Sequence, residues 1–262
     1  NPKKNSVNFK IELIKNIMKP TSRIRIIGKV EIKSRNVVKP IFFEGLKKIG
    51  NPGEIIQKYF KNGIDEILIV DVVSSLYERD IDFEFLKLIG RNLFIPLIYS
   101  GGIKNLTDIE NCLQNGADKV AINTNGIKNP ILLKNSVKKF GSQCISVTIE
   151  AKKINNNWLC FTDGGRINSK IRVTEWIKKV QDLGVGEIII QSVDCDGHTA
   201  GPDYNLFKKV SKSIHVPLVL CSGIRNISHI KFIKKKFNPE ALALSSALHY
   251  NEIKINNVKK VL

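Results

Sequence analysis

Five carboxylates fall just after short apolar runs in this chain: Glu31, Asp71, Glu150, Asp194 and Asp196. Proton transfer on a bound substrate calls for two acids on opposite sides of it, in environments that separate their proton affinities. Glu31 and Glu150 lie 119 residues apart, close to an internal offset described below, so they are expected to face one another. Asp71 and Asp194 read equally well as caps of turns or helices. Glycine turns supply the second kind of chemistry. Ser100-Gly-Gly-Ile103 and Ser222-Gly-Ile224 each follow an apolar run and precede a helical stretch. Glycine there lets backbone N–H groups reach a phosphate, although any tight strand-to-helix turn also favours it. With Asn123-Thr124, Asp196-Gly197 and Ser245-Ser246, these turns predict two anion sites. One is built on Gly101, Gly102, Asn123 and Thr124, the other on Asp196, Gly197, Gly223 and Ser246, for a substrate with two phosphates. A third group, Arg25, Glu66, Lys119 and Glu187, stands at the opposite ends of four apolar runs. It predicts a charged ring, by default a structural one and otherwise a gate.

The elements that must position these residues repeat along the chain. Candidate strands are Arg23–Val30, Ile67–Val72, Leu97–Tyr99, Val120–Asn123, Ile145–Ile149, Ile188–Ser192, Leu218–Leu220 and Ala241–Leu244. Helix-period stretches such as Pro52–Lys61, Asn105–Asn115 and Val173–Leu183 lie between them. Eight strand–helix units in 262 residues predict a single (βα)8 barrel, whose catalytic groups sit at the C-terminal strand ends. Pro217 follows Pro96 by 121 residues and Glu187 follows Glu66 by the same distance, which predicts two similar half-barrels. The barrel is expected over residues 22–262, with 1–21 a basic N-terminal extension.

Composition narrows the function classes. The 42% hydrophobic and 25% charged residues are those of an ordinary globular chain, with no apolar run of membrane-spanning length. The net charge of +18 comes from lysines spread among Ile and Asn, without a nucleic-acid module, so a solvated surface that attracts anionic substrates is expected and nucleic acid is not. Five cysteines without CxxC spacing argue against zinc or a disulfide framework and for a reducing, cytoplasmic setting. Asn1–Pro20 does not read as a signal peptide. Neither metal nor cofactor is expected.

The chain from about Ser22 to Leu262 resembles the cyclase subunit of imidazole glycerol phosphate synthase. The matching stretches are Arg25-Ile-Ile27, Val37-Val-Lys39, Asp65-Glu66, Gly101-Gly-Ile103, Gly116-Ala-Asp-Lys-Val120, Ile122-Asn-Thr124, Phe140-Gly-Ser-Gln143, Gly184-Val-Gly-Glu187, Asp194-Cys-Asp-Gly197 and His249-Tyr250. The resemblance implies a lyase that closes an imidazole ring with ammonia from a glutaminase partner, releasing an aminoimidazole carboxamide ribotide from a substrate with two phosphates. It places the catalytic pair at Glu31 and Glu150, the ammonia gate at Arg25, Glu66, Lys119 and Glu187, and Lys39 on a mobile loop that closes over substrate. Departures accompany it. The family's two catalytic aspartates are glutamates here, Lys29-Val-Glu-Ile-Lys33 stands for Cys-Leu-Asp-Val-Lys, Pro40 replaces a glycine, and Cys221-Ser-Gly223 replaces Ser-Gly-Gly. Two other readings stay open: an ammonia-using synthase that forms an amidine on a nucleotide-linked sugar for surface polysaccharide, and a non-catalytic scaffold for a glutaminase.

Overall fold

The computed structural model describes residues 24–41, 44–197 and 201–262. The expected extension at 1–21 lies outside them. Eight parallel strands close on themselves in the order β1 (Arg25–Lys33), β4 (Glu66–Asp71), β5 (Leu97–Ser100), β6 (Lys119–Ile122), β7 (Ile145–Ile154), β10 (Glu187–Ser192), β11 (Leu218–Cys221) and β12 (Ala241–Leu244). β12 returns to β1 through the register Arg25↔Ala241 to Gly28↔Leu244, so the ring of eight strands is closed. The (βα)8 barrel expected from the strand repeat is the fold observed.

The helices outside it are α1 (Pro52–Lys61), α2 (Phe83–Gly90), α3 (Leu106–Gln114), α4 (Thr124–Lys128), α5 (Pro130–Phe140), α6 (Val173–Asp182), α7 (Tyr204–Val210), α8 (Ile227–Lys236), α9 (Ser246–His249) and α10 (Ile255–Lys259). Their starts are written locally. Asn51 accepts from the Gly53 and Glu54 amides ahead of Pro52, and Asn105 with Asp108 forms a capping box at α3. Their apolar stripes (Ile56 and Tyr59 on α1, Trp176, Ile177 and Val180 on α6) bury against the outward face of the strands. None of the helices among the described residues is long and apolar enough to cross a membrane.

Alternation along each strand sends every second residue to the barrel axis. Ile27, Leu68, Ile98, Ala121, Ile189, Val219 and Ala241 thus form an apolar inner cluster, separate from the larger core between strands and helices. Polar side chains continue the same rows above and below this cluster.

Two features were not anticipated. β2 (Asn36–Ile41) and β3 (Glu44–Gly50) form an antiparallel hairpin on the end of β1, and β8 (Asn157–Thr162) and β9 (Ile167–Arg172) extend β7 in the same way. The loop expected to carry Lys39 is therefore strand.

Candidate active site

At the C-terminal strand ends a cavity of about 80 Å³ is lined by Lys29, Glu31, Ser100, Gly101, Gly102, Asn123, Thr124, Thr148, Glu150, Gln191 and Asp196, with Pro40 and Leu46 of the first hairpin at its rim. Both glutamates predicted as the acid–base pair line it. β1 and β7 are not neighbours in the sheet, so the two carboxylates enter from different sides.

Glu31 is buried in a dense set of partners. Lys39 Nζ donates to its Oε1 at 2.6 Å and Lys29 Nζ lies 3.1 Å from the same atom. Ser245 Oγ donates to Oε2, and His249 Nε2 stands 3.9 Å from Oε2. Tyr59 OH meets the other imidazole nitrogen, Nδ1, at 2.6 Å. Burial by itself would raise the carboxyl, but Lys29, Lys39 and His249 together hold it well below the usual carboxylate range. Lys39 is equally enclosed and also reaches Asp196 Oδ2 at 3.0 Å. Its burial is outweighed by Asp196 and Glu31, so it stays an ammonium.

Glu150 is the opposite case. Its Oε2 accepts from the Gly165 amide at 2.8 Å, at the turn of the second hairpin. Burial dominates there and pushes the carboxyl up to about 7, against the smaller opposing pulls of that amide, Lys29 and Asn123. One glutamate is thus a fixed anion, and the other exchanges its proton near neutrality.

The two predicted anion sites differ. Gly101, Gly102, Asn123 and Thr124 all line the cavity, whereas Gly197, Gly223 and Ser246 do not. Asn123 Nδ2 donates to Phe161 O at 3.0 Å and Thr124 Oγ1 accepts from Asp163 N at 3.0 Å, so the second hairpin is fastened to the first site. Gly101 adopts φ +113° and a Cβ on it would stand 2.5 Å from Asp71 O. At Gly223 (φ +71°) the corresponding contact is 2.3 Å, to Gly201 O. Close packing is therefore sufficient reason for both glycines, whether or not a ligand approaches. Ser222 occupies the left-handed region at φ +80° and donates to Asp196 Oδ1 at 3.3 Å. Ser246 begins α9, next to the Ser245 that holds Glu31.

Asp71 and Asp194 both hold backbone amides, and Asp71 also lines the cavity. Asp71 Oδ1 accepts from the Val73 and Ser74 amides, and Asp194 Oδ2 accepts from Lys153 N.

At the other end of the barrel the four predicted charges form a closed ring. Arg25 contacts Glu66 through Nη1 and Glu187 through Nη2, the latter at 2.6 Å. Lys119 Nζ lies 3.0 Å from Glu66 Oε1 and 3.3 Å from Glu187 Oε1, and Ser146 Oγ donates to Glu187 at 3.1 Å. The cations are 33% and 22% exposed while the acids are 1% and 5%, so the ring can be approached from below on its cationic side. Burial raises Glu66, and Lys119 and Arg25 oppose that rise. Sequence reasoning found all four ring residues. It missed Lys29, although period-two alternation from Arg25 through Ile27 puts Lys29 and Glu31 on the same inward row.

No cluster of three or more His, Cys, Asp or Glu among the described residues is arranged to hold a metal ion. Residues 25–254 match the family described as "Histidine biosynthesis protein". The chain is 38% identical over 240 residues to "Imidazole glycerol phosphate synthase subunit HisF" of Clostridium botulinum (strain Okra / Type B1), covering 91% of this chain and 95% of the relative. It is 36% identical over 239 residues to the protein of the same name in Bacillus cereus (strain G9842), with the same coverage of both chains. A closed barrel with acids at its mouth and a charge ring at its floor, matched along nearly its whole length, belongs to the histidine-biosynthesis protein family.

Proposed function

We propose that the protein is the ammonia-using cyclase of imidazole glycerol phosphate formation, a lyase working with a glutaminase subunit. The observation that carries the reading is the cavity bounded by Glu31 and Glu150, set above an axial apolar cluster and a closed charge ring. Glu150, poised near neutral pH, delivers a proton to the departing group and takes one from the attacking nitrogen. Glu31, held as a carboxylate, accepts hydrogen bonds from the N–H groups that gain positive charge during ring closure. Lys39, bridging Glu31 and Asp196 on the hairpin, closes the mouth over the substrate. The ring of Arg25, Glu66, Lys119 and Glu187 admits ammonia from the docked glutaminase.

The decisive experiment is turnover of the ribulosyl-formimino carboxamide ribotide with added ammonium salt and no partner. Formation of imidazole glycerol phosphate and the aminoimidazole carboxamide ribotide is expected. If neither appears while the substrate binds, cyclase chemistry is the wrong reading, and amidation of a nucleotide-linked sugar is the one to test next.

A substrate with two phosphates requires both glycine turns to bind anions. Crystals soaked in phosphate should show density at Gly102 with Asn123-Thr124 and at Gly223 with Ser246. Density at the first alone would make the Ser222 turn purely structural and would contradict a doubly phosphorylated substrate.

A further inference from the structure

Lys29 has no part in the roles above, yet it is as deeply enclosed as Lys39 and lines the same cavity. It shares with Glu31 the inward row of β1, two residues below it and two above Ile27 of the axial cluster. Its ammonium lies 3.1 Å from Glu31 Oε1, the oxygen that Lys39 also holds. We propose that Lys29 is a positioning residue that anchors Glu31 as a carboxylate at the cavity floor, leaving proton exchange to Glu150. The inference rests on the cyclase reading only for what those two duties accomplish.

The charge pattern supports it. Around Glu31 stand Lys29 on its own strand, Lys39 on β2, Asp196 after β10, His249 of α9 backed by Tyr59 of α1, Cys221 of β11, and Glu150 across the cavity. Two buried ammonium groups thus face two carboxylates, Glu31 and Asp196, in a space with little solvent. Without Lys29, one ammonium would serve two acids, and a buried carboxylate short of a partner takes up a proton. Burial alone would favour a neutral Lys29 amine, but Glu31 and Asp196 keep it protonated, so it has no free electron pair for attack on a carbonyl.

The test needs no substrate. Carboxyl carbons of the full protein, labelled at glutamate, are followed by NMR against pH, with Glu31→Gln and Glu150→Gln identifying the two signals. In the parent protein Glu31 is expected to stay ionised to the lowest pH at which the fold persists, while Glu150 titrates near neutrality. In Lys29→Met the Glu31 signal should instead titrate within the pH range over which the fold persists, a gain in proton affinity of about tenfold or more. A Glu31 signal that stays ionised in Lys29→Met down to the same lowest pH would overturn the proposal. If Lys29→Met does not fold, Lys29→Met/Glu31→Gln removes both charges together and should fold. A double variant that also fails would show that Lys29 serves packing alone, and would overturn the proposal as well. Absence of cyclase turnover in the parent protein would sink the functional reading while leaving these titrations to decide the role of Lys29.

Discussion

Glu150→Gln is expected to lose roughly 100-fold or more of ammonium-driven turnover while gaining stability above neutral pH. The two effects have one cause. Glu150 is partly buried at the cavity wall and its carboxyl is pushed up to about 7, so the folded protein holds this proton more tightly than the unfolded chain does. For an acid raised in this way, the folded state is favoured by the full amount below the unfolded value of 4.5. That advantage disappears as pH climbs to about 7, and beyond it the protein keeps an ionised carboxylate in a poorly solvated place. The difference corresponds to about 3 kcal/mol between pH 4 and pH 8. Gln retains the volume and can still accept from Gly165 N, but it carries no titrating proton. Denaturant melts at pH 5 and pH 8 should therefore show a variant close to the parent in acid and more stable in alkali. The pH dependence of kcat/KM gives the second check, because the limb near 7 must vanish with Glu150. Unaltered turnover in the variant would remove Glu150 from the chemistry, and parallel melts at both pH values would refute its raised proton affinity.

Lys119→Ala is expected to separate two ammonia sources. Lys119 contacts both buried acids of the ring, so its loss leaves Arg25 as the one ring cation facing Glu66 and Glu187. A ring that only braces the barrel would lower stability and affect every activity alike. A gate behaves differently, because free ammonium salt reaches the cavity from the open mouth and glutamine-derived ammonia must pass the floor. With a co-purified glutaminase, glutamine-driven turnover should fall about tenfold or more, while turnover with ammonium salt changes by less than about twofold. Equal losses from both sources would make the ring structural.

Most of the barrel can be read from the chain because its strands are nearly continuous apolar runs covered on both faces, such as Ile67–Val70 and Ile188–Ile190. The first strand was read as ending at Val30, but it runs on through Glu31 to Lys33. The reason is that Lys29 and Glu31 interrupt the apolar pattern with charges that compensate one another inside. The hairpins escaped for a different reason. Ser34 and Arg35 make the first turn with φ of +46° and +59°, without the Asn-Gly or Asp-Gly pair that announces such a turn. In the second hairpin the turn between β8 and β9 carries Asp163-Gly164 at φ +52° and +65°, an Asp-Gly signal that could have been used. The ring was legible because each member opens a strand. The unequal environments of Glu31 and Glu150 were not, since burial and four partners gathered from β1, β2, α9 and the segment before it leave no trace in the spacing of two glutamates.

The second hairpin holds three things with neighbouring backbone groups: Asn123 through Phe161 O, Thr124 through Asp163 N, and Glu150 through Gly165 N. Thr124 Oγ1 still has its own proton to donate and Asn123 Nδ2 a second N–H, so the hairpin orients both groups toward that corner while it also donates to the Glu150 carboxyl. An anion bound in that corner and the proton on Glu150 would be thermodynamically linked, each altering the other's affinity by the same factor. A negatively charged substrate group there would favour the protonated form of Glu150 before any bond is broken.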